Sequence, residues 1–116
     1  MPLDWNEGEL ADGLRCYRSR QFFEAHEHWE LVWLRSVEPE KTFLQALIQT
    51  TAAFHHFQRK NFIGAVSLLR GALRRLEPYP DEFGGVAAEQ LRRSIRAWLA
   101  ALKSQLIPEL PFPQIR

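Results

Sequence analysis

Between Lys41 and Arg59 the chain passes through seventeen residues without one Asp, Glu, Lys or Arg. A helix with one face in water rarely goes so long without charge, so this stretch predicts a central helix contacted on most of its sides. Pro39 suits the first turn of such a helix, which is expected to run to about Gln58. Four further helices are expected around it: about Glu7 to Arg18 with Asn6 as N-cap, Phe22 to Ser36, Phe62 to Leu76, and Val86 to Leu106 behind the Gly84-Gly85 loop. Apolar residues recur at helical spacing in each, as with Leu10, Leu14 and Tyr17, or Leu91, Ile95, Trp98, Leu99 and Leu102. Residues 107–116 carry Pro at 108, 111 and 113 and are expected to be extended, lying across the helices through Phe112 and Ile115. No segment alternates with a β period. The expected fold is all-α: one compact domain of 116 residues with about five helices, two helix-turn-helix hairpins plus a C-terminal helix and tail.

The hairpins are signalled by a weak internal repeat. Arg20-Gln21-Phe22-Phe23-Glu24-Ala25 and Lys60-Asn61-Phe62-Ile63-Gly64-Ala65 align, each following one helix and opening the next. The second copy, with Leu68-Leu69, Ala72-Leu73 and a closing Pro78, has the pattern of one helix of a tetratricopeptide-type repeat. Two hairpins are too few for a solenoid, so this is a likeness of packing.

Charge narrows the partners. Fifteen Lys plus Arg against fourteen Asp plus Glu give a net charge of +1, so no global field recruits nucleic acid or an anionic membrane. The single cysteine, Cys16, permits no internal disulfide. No apolar run is long enough to cross a bilayer and no secretory leader pattern opens the chain, so a cytoplasmic protein is expected.

The second helix carries the candidate chemistry, in Glu24-Ala25-His26-Glu27-His28-Trp29-Glu30. At 100° per residue, Phe22, Phe23, Ala25, Trp29, Val32, Trp33 and Leu34 define an apolar side. Glu24, His28 and Arg35 fall opposite, Glu27 at the border, and His26 and Glu30 within the apolar side. A buried imidazole and carboxylate four residues apart are costly unless they satisfy each other or a third partner. Gln45, Gln49, Ala52, His56 and Arg59 form a stripe on the central helix that is expected to meet them.

These residues also carry a resemblance. Phe23-Glu24-Ala25-His26-Glu27, Trp29-Glu30, Phe43-Leu44-Gln45-Ala46-Leu47-Ile48-Gln49, His56 and Arg59-Lys60-Asn61-Phe62-Ile63-Gly64-Ala65 resemble the family of small bacterial and archaeal proteins known as domain of unknown function 309. The likeness covers about positions 14 to 105. Lys60 stands where that family often has Gly, and so does Ala46. The resemblance implies an all-helical bundle and singles out His26, Glu27, Glu30, His56 and Arg59, with no established activity attached.

Two functional readings follow. In one, His26, Glu27, Glu30, Gln49, His56 and Arg59 form a structural polar core inside a non-catalytic helical interaction module that binds a second copy of itself or another protein. In the other, His26, Glu30 and His56 hold a divalent metal of the Zn²⁺ type, with Glu27 as general base of a small hydrolase. The first reading is preferred, because buried His and Glu pairs more often serve structure. Trp29, Trp33, Phe22 and Phe57 belong to the core or line a groove. His28 and His55 read as surface or boundary histidines. The basic turns Arg70, Arg74, Arg75 and Arg92, Arg93, Arg96 read as a solvated face paired with Glu77 and Glu89, which disfavours a nucleic-acid surface. Cys16 has no neighbours that mark a nucleophile.

Overall fold

The computed structural model describes residues 3–104 and 109–116. Among these are five helices and no strand: α1 (Gly8–Arg18), α2 (Phe22–Leu34), α3 (Glu40–Gln58), α4 (Phe62–Leu76) and α5 (Ala88–Lys103). The expected end of the last helix at Leu106, and the first tail residues Ile107 and Pro108, lie outside the described residues. Two boundaries shift inward. α2 stops at Leu34 rather than Ser36, and α5 opens at Ala88, because Val86 is spent on a turn over Gly84-Gly85, where it exchanges backbone bonds with Phe83. The N-cap of α1 is Glu7, not Asn6, and it makes no side-chain cap.

α3 is the central helix. It packs along both α4 and α2, α1 packs on α2, and α5 on α4. Phe43, Leu44, Ala46, Leu47, Ala53 and Phe54 of α3 are completely buried. Its two buried hydroxyls, Thr50 and Thr51, return their protons to the carbonyls of Ala46 and Leu47 four residues back, so an uncharged helix enters the core without orphaned donors.

The α1/α2 pair approaches very closely at one point. A Cβ placed on Gly13 would fall inside the Trp29 indole, whose Nε1 donates to Leu10 O of α1 at 3.2 Å. Glycine is required there by space, since a helix interior otherwise disfavours it. Trp29 also packs against Trp5 and Tyr17, which links the segment before α1 to the core.

The α4/α5 junction depends on Arg92, which is buried rather than solvated. Its guanidinium donates to Leu76 O at 2.8 Å and Tyr79 O at 3.1 Å, and its Nε to Glu89 at 2.8 Å. The last carbonyls of α4 have no intrahelical donor, and this side chain supplies one from the next helix. Arg93 pairs with Glu89 and Arg96 with Glu77, as the sequence led us to expect. Among the described residues no helix is long and apolar enough to cross a membrane.

Candidate functional site

α2 is covered on two sides, and that decides where its polar residues fall. Its buried strip is Phe22, Ala25, Trp29 and Val32. His28 lies on the flank facing α1, where its Nδ1 pairs with Glu9 Oε2. His26 and Trp33 lie on the flank facing α3. The remaining side is open, and it carries Phe23, Glu27, Glu30, Leu31 and Leu34.

This corrects two expectations. Glu30 is exposed, not buried, and His28 is half-buried against α1 instead of standing on the solvent face. The reason is physical: counting every apolar residue on the helix includes Phe23 and Leu34, which are exposed, and they pull the inferred centre of the buried face toward Glu30. The Phe22, Ala25, Trp29 and Val32 strip places that centre on the other side of His26.

His26 is half-buried on the α3 flank. Its Nε2 stands 3.7 Å from Glu30 Oε2, beyond a hydrogen bond, and its Nδ1 is buried with no hydrogen-bond partner among the described residues. Phe23 stacks beside it at 6.1 Å and reaches the His55 ring at 5.3 Å. His55, not His56, is therefore the α3 histidine on this flank. Burial, followed by the neighbouring His56 and Arg59 charges, holds the His55 imidazole below its ordinary pKa, with Glu24 opposing. Trp33 presents a second buried, unpaired nitrogen, its Nε1, and its ring lies under Lys41 Nζ at 4.5 Å.

The remaining sequence candidates lie elsewhere. Gln49 faces α4, its amide against Gly71, and its buried Oε1 has no donor among the described residues. His56 stands at the end of α3, where Asn61 Nδ2 donates to its Nδ1 at 3.0 Å. Arg59 and Glu27 are exposed. Of the stripe from Gln49 to Arg59, Gln49 turns toward α4, His56 toward the corner that opens α4, and Arg59 toward solvent. The structure thus brings together His26 and Glu30, adds Phe23, Trp33 and His55, and leaves Gln49, His56 and Arg59 on other surfaces.

Among the described residues, the three potential metal ligands whose ligating atoms lie within 4.8 Å of one another are Glu9, Asp12 and His28. All three already have counter-groups: Glu9 and His28 pair with each other, and Asp12 pairs with Arg15. They tie α1 to α2. The Glu9 and Asp12 spacing on one helix face was the sequence signal, but nothing in the chain order linked it to His28.

A second feature is the distribution of large exposed apolar side chains. Leu34 is 65% exposed and Leu31 51%, beside Glu27 and Glu30 on the outer face of α2. On α4, Ile63 is 87% exposed, and with Phe62, Val66, Ser67, Arg70, Arg74 and Leu102 it lines an open concavity. Arg70 and Arg74 make no ion pair among the described residues, so this concavity is apolar with a basic margin.

A family model described as Domain of unknown function (DUF309) matches residues 10–68. That is 59 of the 116 residues, just over half of the chain. The chain belongs to this family. The matched region holds nearly all of α1, all of α2 and α3, the His26 and Glu30 motif, and the first turns of α4; α5 and the tail lie beyond it. An uncharacterized protein of Aquifex aeolicus (strain VF5) is 27% identical over 104 residues, which is 89% of this chain and 31% of that protein. The chain therefore spans under a third of that relative's length.

Proposed function

We propose that this member of domain of unknown function 309 is a non-catalytic helical interaction module that self-associates in the cytoplasm through two faces of opposite charge. The observation that carries the reading is the placement of the exposed apolar residues. On α2 they sit among Glu24, Glu27 and Glu30, and on α4 beside Arg70 and Arg74. Clusters of large exposed side chains mark contact surfaces more than isolated ones do. Opposite charge on the two patches favours a head-to-tail contact between copies. The arginine turns do not favour nucleic acid: Arg92 is buried, Arg96 pairs with Glu77, and Phe62 alone among the lining residues of the concavity offers an aromatic ring beside Arg70 and Arg74, short of a stacking platform.

Sedimentation at micromolar concentration tests this. The expected result is an assembly that weakens as salt rises, and an Ile63→Asp chain that stays monomeric with an unchanged melting temperature. A clean monomer up to roughly 100 µM, where even a weak specific contact should populate, would sink the reading.

A metal-dependent hydrolase remains the second reading, favoured by one observation. His26 Nδ1 is buried and unpaired, and a carboxylate stands beside the same ring. His26 and Glu30 would be two ligands of a Zn²⁺-type ion, but the third, His56, would have to give up Asn61 and turn from its own surface toward α2. Elemental analysis of purified protein before and after chelation decides it. Stoichiometric metal that survives gel filtration and is lost from His26→Ala protein would replace the interaction reading.

A further inference from the structure

The chain's last residues fill a groove that is chemically specific. Residues 109–116 read Glu-Leu-Pro-Phe-Pro-Gln-Ile-Arg and have no regular secondary structure. Trp98 Nε1 of α5 donates to Pro111 O at 3.0 Å, and the Tyr17 hydroxyl of α1 donates to Pro113 O at 2.6 Å. Phe112, between them, lies parallel to the Trp98 ring at 5.3 Å and meets the edges of Phe22 at 4.9 Å and Phe54 at 5.0 Å. The Arg20 guanidinium lies 5.2 Å from the Phe112 centroid, and Pro113 and Ile115 are buried.

The match between groove and segment is one of hydrogen-bonding type as well as shape. Proline has no N–H, so at positions 111 and 113 the backbone offers acceptors and no donors. The groove answers with donors from two aromatic side chains, two residues apart along the segment. Burial raises the Tyr17 phenol above its ordinary pKa, which keeps it a donor across the physiological range. Aromatic walls that present indole and phenol donors to alternate carbonyls are how extended proline-rich segments are recognised, and such segments lose little entropy on binding because proline presets them. The carbonyl of Arg116 is held by Arg18 as well.

Groove and ligand need not come from the same chain. These contacts join side chains of α1, α2, α3, α5 and the α1 to α2 corner to a short segment, and any copy of this protein carries that segment. We propose that the groove is a recognition site for the Pro-Phe-Pro segment, filled in cis by the chain's own end and in trans by the same segment of a second copy, so that tail exchange joins two copies. This rests on the self-association reading. It also deepens it: a tethered ligand competes at an effective concentration on the order of 1 mM, so exchange alone is weak, and a second contact such as the α2 and α4 faces is needed to favour it.

The test uses full-length chains. Phe112→Ala with Ile115→Ala is expected to free the groove while leaving its walls intact, with circular dichroism as the check that the double variant keeps its helices. A synthetic peptide of residues 109–116, followed through the Trp98 indole N–H signal, is expected to bind it saturably. The same peptide with Phe112→Ala should bind at least tenfold more weakly, and adding Tyr17→Phe to the protein should weaken the parent peptide roughly fivefold, as for one lost hydrogen bond. Equal binding of the two peptides overturns the proposal. If the double variant unfolds, Phe112→Leu, which loses the ring contacts to Trp98 and Phe22 and so holds the tail less tightly, takes its place in the titration.

Sedimentation then separates the two ideas. Self-association of the wild type that drops at least tenfold in the tail variant supports exchange. Undiminished association in that variant overturns exchange and leaves the self-association reading standing. A monomeric wild type whose freed groove still binds the peptide overturns a second copy as the occupant, together with that reading.

Discussion

The two hairpin corners have the same backbone and different surroundings. In each, the helix ends in a left-handed residue, Arg20 at φ 63° and Lys60 at φ 62°, whose N–H bonds the carbonyl three residues back, Tyr17 or Phe57, at 3.0 Å. The next N–H, of Gln21 or Asn61, bonds Cys16 O or His56 O at 2.8 Å. This is the paired closure that satisfies orphan carbonyls at a helix end. The corners even touch, with Gln58 Nε2 donating to Arg20 O at 3.1 Å. Beyond them the aromatic residue that opens the next helix meets opposite fates. Phe22 is buried against Tyr17, Phe54 and Phe112, whereas Phe62 stands at the rim of the α4 concavity. Local sequence sets the turn; what the turn's aromatic residue does depends on whether another segment covers it.

The sharpest way to break this comparison is to truncate both aromatic residues. Phe22→Ala should cost about 3–5 kcal/mol in urea unfolding, the usual range for a buried Phe, and Phe62→Ala less than about 1 kcal/mol. Comparable losses would mean that the second corner is covered in solution, as a partner would cover it. The caps come next. Asn61 accepts from Gly64 N–H at 3.1 Å and donates to His56, while Gln21 makes no side-chain cap. Asn61→Ala should therefore cost about 1 kcal/mol and Gln21→Ala a few tenths, read in the same melts.

Where the corners are alike, they should respond alike. Arg20→Gly and Lys60→Gly relieve a left-handed backbone at a non-glycine residue, so each should stabilise by about 0.5–1 kcal/mol. A gain at one and a loss at the other would show that the side chain matters more than the dihedral. The smallest expected effect is in acid. Because the folded state holds His55 below the ordinary imidazole pKa of 6.5, the unfolded chain takes up its proton first. His55's contribution is full above pH 6.5 and falls as the pH drops below it. His55→Gln should flatten that part of a stability-versus-pH curve, and an unchanged slope would overturn this assignment.

Periodicity was enough for the helices and for the central place of α3, because an uncharged seventeen-residue run has few other ways to fold. Leu10, Leu14 and Tyr17, or Leu91, Ile95 and Trp98, lie in the core as their spacing requires. Charge pairing of Arg93 and Arg96 was readable too, since Glu89 and Glu77 are near in sequence, whereas the pairing expected of the Arg70, Arg74 and Arg75 turn does not form among the described residues. The polar flank of α2 was not. Which side of a helical wheel is buried depends on how many neighbours the helix has, and α2 has two, so its polar residues split between α1, α3 and solvent. Nor could the chain order show that Glu9 would meet His28, or that His55 rather than His56 would stand by Phe23. The burial of Arg92 was hidden for a related reason: its acceptors are backbone carbonyls of another helix, which leave no mark in composition.

That arginine has a consequence for how the molecule responds to acid. A guanidinium keeps its charge at every pH a folded protein survives, and carbonyl oxygens do not titrate. The bonds from Arg92 to Leu76 O and Tyr79 O therefore persist after Glu89, whose carboxyl Arg92 holds below its ordinary range, has finally taken up a proton. On acidification α4 and α5 should therefore stay fastened to each other through bonds in which neither partner gains or loses a proton.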